Sequence, residues 1–223
     1  KMAAGALLSH QIIGALNDGD NGEVAELQWK RVVDDMRKEG KMNNCIAVCD
    51  DSGSMSGTPM EVCVSLGLLL SELAEEPWKG KIITFSANPQ LHLIKGDDLR
   101  SKTEFIRRME WQMNTDLQKV FDLILNVAVE GKIKPEEMIK RVFIFSDMEF
   151  DEATGNYNGG CGYRRDVVPN KWETDDEVIR GKFHSNGYGE AVPEMVFWNL
   201  RYSMATAVSK NQKGCAWVGG CSE

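Results

Sequence analysis

The sequence predicts an α/β fold: a doubly wound, mostly parallel central sheet with one antiparallel edge strand, preceded by an N-terminal helical segment. Three observations carry this. Short apolar runs of strand length alternate with longer helical patterns, the order that builds a parallel sheet covered on both faces. The run NCIAVC lacks a clean in-out alternation, as strands do when both faces are buried, and RVFIF also reads as a buried strand. Oxygen-bearing residues follow two of these runs directly, at Asp50 and at Ser146-Asp147. That is the rim where open α/β sheets bind ligands.

The elements follow in order. Residues 6–16 (ALLSHQIIGAL) form a short apolar helix, and residues 17–22 (NDGDNG) a turn cluster. The cluster is not a calcium loop: Glu23 stands where such a loop needs Gly, and Trp29 where it needs a bidentate Glu. Asp20 with Glu23 instead marks a helix start. That helix runs to Lys38, with Ala25, Trp29, Val32, Val33 and Met36 on its apolar face. Residues 1–40 are thus a helical segment packing on the domain formed by residues 41–223. Residues 43–49 are the first strand. A polar loop follows, and Pro59 suits the first turn of the next helix. Residues 60–73 are apolar almost all round and predict a buried helix.

Residues 81–86 (KIITFS) are a strand, and residues 91–94 (LHLI) an edge strand. Residues 102–111 are amphipathic. Residues 116–129 form a helix with Leu117, Val120, Phe121, Ile124 and Leu125 on one face. Residues 141–145 are a buried strand. The Gly- and Asn-rich stretch 151–171 reads as a long loop, a kind that is usually functional or disordered. Residues 172–185 are helical, and residues 194–200 and 214–218 are strands. The chain stops just after the last strand, where a doubly wound fold places another helix, so we expect a truncated C-terminus.

Composition narrows the function. Lys and Arg number 26 against 34 Asp and Glu, a net charge of -8. No basic block stands out, so nucleic acid is not expected as a partner of this segment alone. No apolar stretch reaches roughly 18 residues, so no membrane span is expected. The opening lacks the apolar run of a secretory signal. Among six cysteines, Cys45 and Cys49 share one strand, about 13 Å apart and beyond disulfide reach. No pair has the CxxC spacing of a zinc site. Free thiols in a reducing compartment, cytoplasmic or otherwise intracellular, are the expectation.

The strongest chemical signal is Asp50-Asp51-Ser52-Gly53-Ser54, between a strand and a helix. Asp50, Ser52 and Ser54 alternate, so in an extended loop their side chains converge. An all-oxygen set suits a hard cation such as Mg²⁺. Asn114-Thr115-Asp116 before a helix and Ser146-Asp147 after a strand add oxygens on the same rim. The competing readings are plain: a polar turn capping a helix for the first motif, and an N-cap for Thr115. Asp51 is out of phase and faces solvent. His10, His92 and His184 are isolated, and Trp29, Trp111, Trp172 and Trp198 fit core faces.

Asp-x-Ser-Gly-Ser, then Thr-Asp before a helix, then strand-Ser-Asp, resembles the von Willebrand factor A domain, a Rossmann-like fold, with its metal-ion-dependent adhesion site. The resemblance covers about four-fifths of the chain. It implies metal ligation by Asp50, Ser52, Ser54, Thr115 and Asp147. Beside these, Asp116 reads as support for the helix N-terminus or for the ligands rather than as a ligand itself, and Glu149 either as support behind the ligands or as a surface residue. Mg²⁺ is the implied ion, with Mn²⁺ or Ca²⁺ as substitutes, and a protein partner offering Asp or Glu completes it. A sheet order of edge, second, first, fourth, fifth, sixth strand is also implied. Ser146-Asp147-Met148-Glu149-Phe150 is most similar to the Ro autoantigen version. The whole chain also resembles an uncharacterised plant family of Ro-like proteins. It departs from the wider pattern at Met113-Asn114, where glycine is usual before the Thr, and at Met148, where glycine usually follows the Asp.

The expected function is a metal-dependent protein-binding module and not an enzyme. The loop at 151–171, with Tyr163, Arg164 and Arg165, is the expected partner-recognition element, since Tyr and Arg often carry interface energy; an insertion with no role is the alternative. A component of a Ro-like RNA-protein particle is another reading of the whole, and a Mg²⁺-dependent phosphohydrolase a third. Against the last, the strand-end motif is not Asp-x-Asp, since Asp50 is followed by Asp51 and then Ser52, and the sequence has no Gly-x-x-x-x-Gly-Lys loop.

Overall fold

A computed structural model describes residues 7–17, 22–40, 42, 44–50, 55–86, 88–109, 117–147, 171–201 and 215–219. The chain opens with helices α1 (Ser9–Gly14) and α2 (Gly22–Glu39), then strand β1 (Cys45–Cys49) and helix α3 (Thr58–Leu73). Strands β2 (Lys81–Thr84) and β3 (Leu91–Leu93) follow, then helices α4 (Leu99–Arg107) and α5 (Leu117–Glu130). Strand β4 (Arg141–Ser146), helix α6 (Lys171–Ser185) and strands β5 (Glu194–Asn199) and β6 (Cys215–Gly219) complete it.

The sheet order is β3-β2-β1-β4-β5-β6. This is the order that the von Willebrand resemblance implies. All pairings are parallel except β2 with β3. The chain therefore winds outward from β1 to β2 and β3, then crosses back to place β4 on the other side of β1. The change of direction leaves a crevice beyond the carboxyl ends of β1 and β4. This is the topological switch point where such sheets bind ligands.

Alternation along β1 serves two cores. Cys45, Ala47 and Cys49 join the cluster under α1 to α4, while Ile46 and Val48 join the opposite cluster under α5 and α6. Each β1 residue is buried, which explains a strand with no polar face. Helix α3 is held closest. A Cβ built on Gly67 would lie 2.8 Å from Cys49 Sγ and 2.9 Å from Ile82 Cδ1, so only glycine lets the helix approach the sheet this far.

The N-terminal helices share the first of these cores: Ile12, Ile13, Leu16, Ala25, Trp29 and Val33 are buried in it. Glu72 of α3 binds them to α4. Its carboxylate accepts from Trp29 Nε1 at 2.9 Å and from Lys102 Nζ at 2.6 Å.

The main departure from the sequence reading is α4. It begins at Leu99 and ends at Arg107, not at 102–111. Two of its N-terminal N–H groups are capped: Asp98 accepts from Ser101 N at 2.7 Å, and Glu26 of α2 accepts from Leu99 N at 2.6 Å. The second cap comes from 73 residues away, beyond local pattern. The Asp20 cap lies outside the described residues. Cys45, Cys49, Cys63 and Cys215 are free thiols; Cys161 and Cys221 lie outside the described residues. Trp29 is buried and Trp198 packs against the core, while the Trp111 and Trp172 side chains lie outside the described residues.

Gly67→Ala should destabilise by about 1–3 kcal/mol through overpacking. Gly181→Ala, on an exposed turn of α6 with nothing within 4 Å of the new methyl, should instead add up to about 1 kcal/mol. Denaturant midpoints of both variants measure this. A neutral Gly67→Ala would mean that α3 is not held against β1 as described.

Burial pushes the Cys45 thiol from its ordinary 9.0 up to about 11, against the opposing charges of Arg141 and Lys140. The unfolded chain releases this proton first, so stability should fall as pH rises through the interval from 9.0 to about 11. Urea midpoints across alkaline pH should fall less steeply in Cys45→Ala than in the parent. Equal slopes would place the thiol in water.

Candidate functional site

The site begins with register. Cys49 of β1 pairs with Phe145 of β4, and the ladder runs one residue further, Asp50 N donating to Phe145 O at 2.9 Å. Asp50 therefore sits level with Ser146, and Asp147 follows on the same rim. The Ser146 hydroxyl, almost fully buried, donates to Asp50 Oδ2 at 2.5 Å. A bond to an ionised acceptor is the short, strong kind. It fixes the carboxylate's direction at the mouth of the crevice.

Asp147 is 4% exposed. Its Oδ2 is buried and has no hydrogen-bond partner among the described residues. The charge that faces it is Arg201, whose Nε lies 3.8 Å away, outside hydrogen-bond range. A buried carboxylate oxygen lacking a donor is costly. A hard cation is a ligand that would satisfy it.

Neighbouring strand ends are also polar. Asn199, at the end of β5, is 1% exposed and pairs with Ser146. Its Oδ1 accepts from Arg201 N at 2.8 Å. Leu200 N donates to Ser146 O at 2.9 Å. Ser86, two residues past β2, is 4% exposed. Beneath the rim, Cys63 of α3 points its thiol at Asp50 O and Phe145 O, at 3.7 and 3.9 Å. Burial, with Cys49 and Asp50 as neighbours, holds this thiol well above its ordinary range. It stays protonated and adds no anion below the carboxylates.

Of the residues picked from sequence, the structure brings Asp50 and Asp147 to one rim. Ser52, Ser54, Thr115, Asp116, Glu149, Tyr163, Arg164 and Arg165 lie outside the described residues. Among the described residues no group of three His, Cys, Asp or Glu is gathered for a metal. Met55, the first described residue after the Asp-x-Ser-Gly-Ser loop, is fully buried, and Gly57 at φ 89° turns the chain into α3. Sequence reasoning missed Asn199 and Arg201. Their signal was a polar ending, Asn-Leu-Arg, on an otherwise apolar strand.

Residues 44–223 match a family described as a domain of unknown function, DUF7788. The chain belongs to this family. The DUF7788 chain is also similar to an uncharacterized protein of Acanthamoeba polyphaga mimivirus, 35% identical over 216 residues. That alignment covers 96% of this chain and 35% of the viral protein, so the chain spans about a third of that relative's length. Among solved structures, the crystal structure of Deinococcus radiodurans RO (RSR) protein is similar at 14% identity and a TM-score of 0.44. That match covers 78% of this chain and 30% of the other. At that identity and score the likeness says nothing about chemistry. Among the described residues no helix is long and apolar enough to cross a membrane.

Ser146→Ala leaves Asp50 without its hydroxyl donor. It should cost about 1.5–3 kcal/mol, the worth of a hydrogen bond to a charged group, read as a lower urea midpoint. An unchanged midpoint would show that this bond does not hold the rim.

Proposed function

We propose that this domain is a metal-dependent protein-binding module, and not an enzyme, with a divalent cation held at the carboxyl rim by Asp50 and Asp147. The observation that carries the reading is the buried Asp147 Oδ2 without a hydrogen-bond donor among the described residues, beside Asp50 at the switch point of the sheet. Oxygen-only chemistry favours Mg²⁺, with Mn²⁺ or Ca²⁺ as substitutes. Ser52, Ser54 and Thr115 are the further ligands that the sequence motif supplies. When bound, the ion offers an open position to a carboxylate from a partner protein. The chain's own residues orient that position. Ser146 directs the Asp50 carboxylate. The β4 strand end carries Asp147, and the carbonyl of Ser146 before it accepts from Leu200 N. Asp116 and Glu149 support the ligands, and Tyr163, Arg164 and Arg165 contact the partner.

Titration of the domain with Mn²⁺ and Mg²⁺, by calorimetry and by thermal melting, tests this. One site is expected. A ligand at about one hundred times its Kd stabilises by about 2.7 kcal/mol, a shift readily seen in the melt. Asp50→Ala and Asp147→Ala should each abolish the heat and the melting gain. A parent protein with neither response sinks the reading.

A further inference from the structure

We infer that Arg201 is a resident counter-charge that competes with the divalent cation for Asp147 and so sets the metal affinity of the rim. The inference rests on the proposed metal site and adds a residue to it from outside the sequence motif. One oxygen is at issue. Asp147 Oδ2 is the atom with no hydrogen-bond donor among the described residues, and it is the atom that Arg201 Nε approaches to 3.8 Å. A guanidinium seated for full pairing would bring a donor N–H within hydrogen-bond range of that oxygen. At 3.8 Å Arg201 supplies charge without quenching the acceptor.

The backbone keeps Arg201 in this place. Leu200, 1% exposed, is anchored in the core and donates its N–H to Ser146 O. The Arg201 N–H is tied to Asn199 Oδ1. The corner after β5 is thereby latched to the end of β4, and the Arg201 Cα is fixed beside Asp147. The side chain lies nearer solvent. It is 45% exposed, against 5% for Asp147. The acid lies in the crevice, and the base reaches it from the solvent side.

A cation with two charges close to Asp147 repels a guanidinium a few ångströms away. Either cation answers the buried carboxylate, and loading the metal requires the arginine head to move outward. Arg201 thus makes the metal-free rim tolerable and weakens metal binding by the worth of its own pairing. A half-exposed ion pair is worth little, so the effect is about twofold to fivefold in Kd.

The test is Mn²⁺ titration of the parent, Arg201→Gln, Arg201→Lys and Asp147→Asn, by calorimetry and by melting with and without Mn²⁺. Arg201→Gln should bind Mn²⁺ about twofold to fivefold more tightly. It should melt lower than the parent without metal and gain more on adding it. Arg201→Lys keeps the charge and should stay near the parent, and Asp147→Asn should lose binding. If Arg201→Gln binds Mn²⁺ equally or more weakly while the parent binds it, Arg201 does not compete and the inference falls alone. If the parent binds no Mn²⁺, the proposed function and this inference fall together.

Discussion

Everything at the rim depends on the parallel pairing of β1 with β4. These strands are separated in sequence by α3, β2, β3, α4 and α5, yet they lie side by side at the centre of the sheet. Their register places Asp50 level with Ser146 and one step from Asp147. A slip of one residue would turn each side chain to the other face. It would bury Ile46 and Val48 under the wrong helices and separate Asp50 from the Ser146 hydroxyl. The two cores lock the register because they take alternate residues of the same strands. Burying the apolar residues of β1 and β4 therefore aligns the carboxylates as well.

The helices before and after β1 reinforce this arrangement. Helix α3 approaches the sheet at Gly67, and its Cys63 lies directly under the Asp50 and Phe145 carbonyls. A protonated thiol there is a small, neutral filler below an acidic rim. The N-terminal helices close the same layer. Trp29 and Lys102 converge on Glu72, Glu26 caps α4, and Arg107 reaches Glu61 in the first turn of α3. Helix α3 is thus braced from both sides, by the sheet at Gly67 and by α2 and α4 through Glu72 and Glu61.

Much of this was legible in the sequence, for reasons tied to particular residues. The runs CIAVC and RVFIF read as buried strands because they carry apolar residues on both faces, and EMVFWN read as a strand. Leu117, Val120, Phe121, Ile124 and Leu125 declared a helix by their spacing. Asp50 and Asp147 were marked by standing directly after such strands. Other features escaped because their causes lie far away in the chain. Helix α4 starts at Leu99, where the distant Glu26 adds a second cap to the local one from Asp98. Ser146 was read as part of a motif, and its bond to Asp50 spans 96 residues. Arg201 carried no motif at all.

The sequence by itself determined the kinds of element, the strand ends at which polar chemistry stands, and the oxygen-rich character of that chemistry. These follow from periodicity and residue type, which act over a few neighbouring positions. Only the tertiary structure decided which polar groups meet. It set Asp50 against Ser146, left Asp147 Oδ2 buried without a donor among the described residues, and brought Arg201 to that same oxygen. Those meetings depend on strand order and register, which are fixed when distant segments bury their apolar faces together, and no local pattern records them.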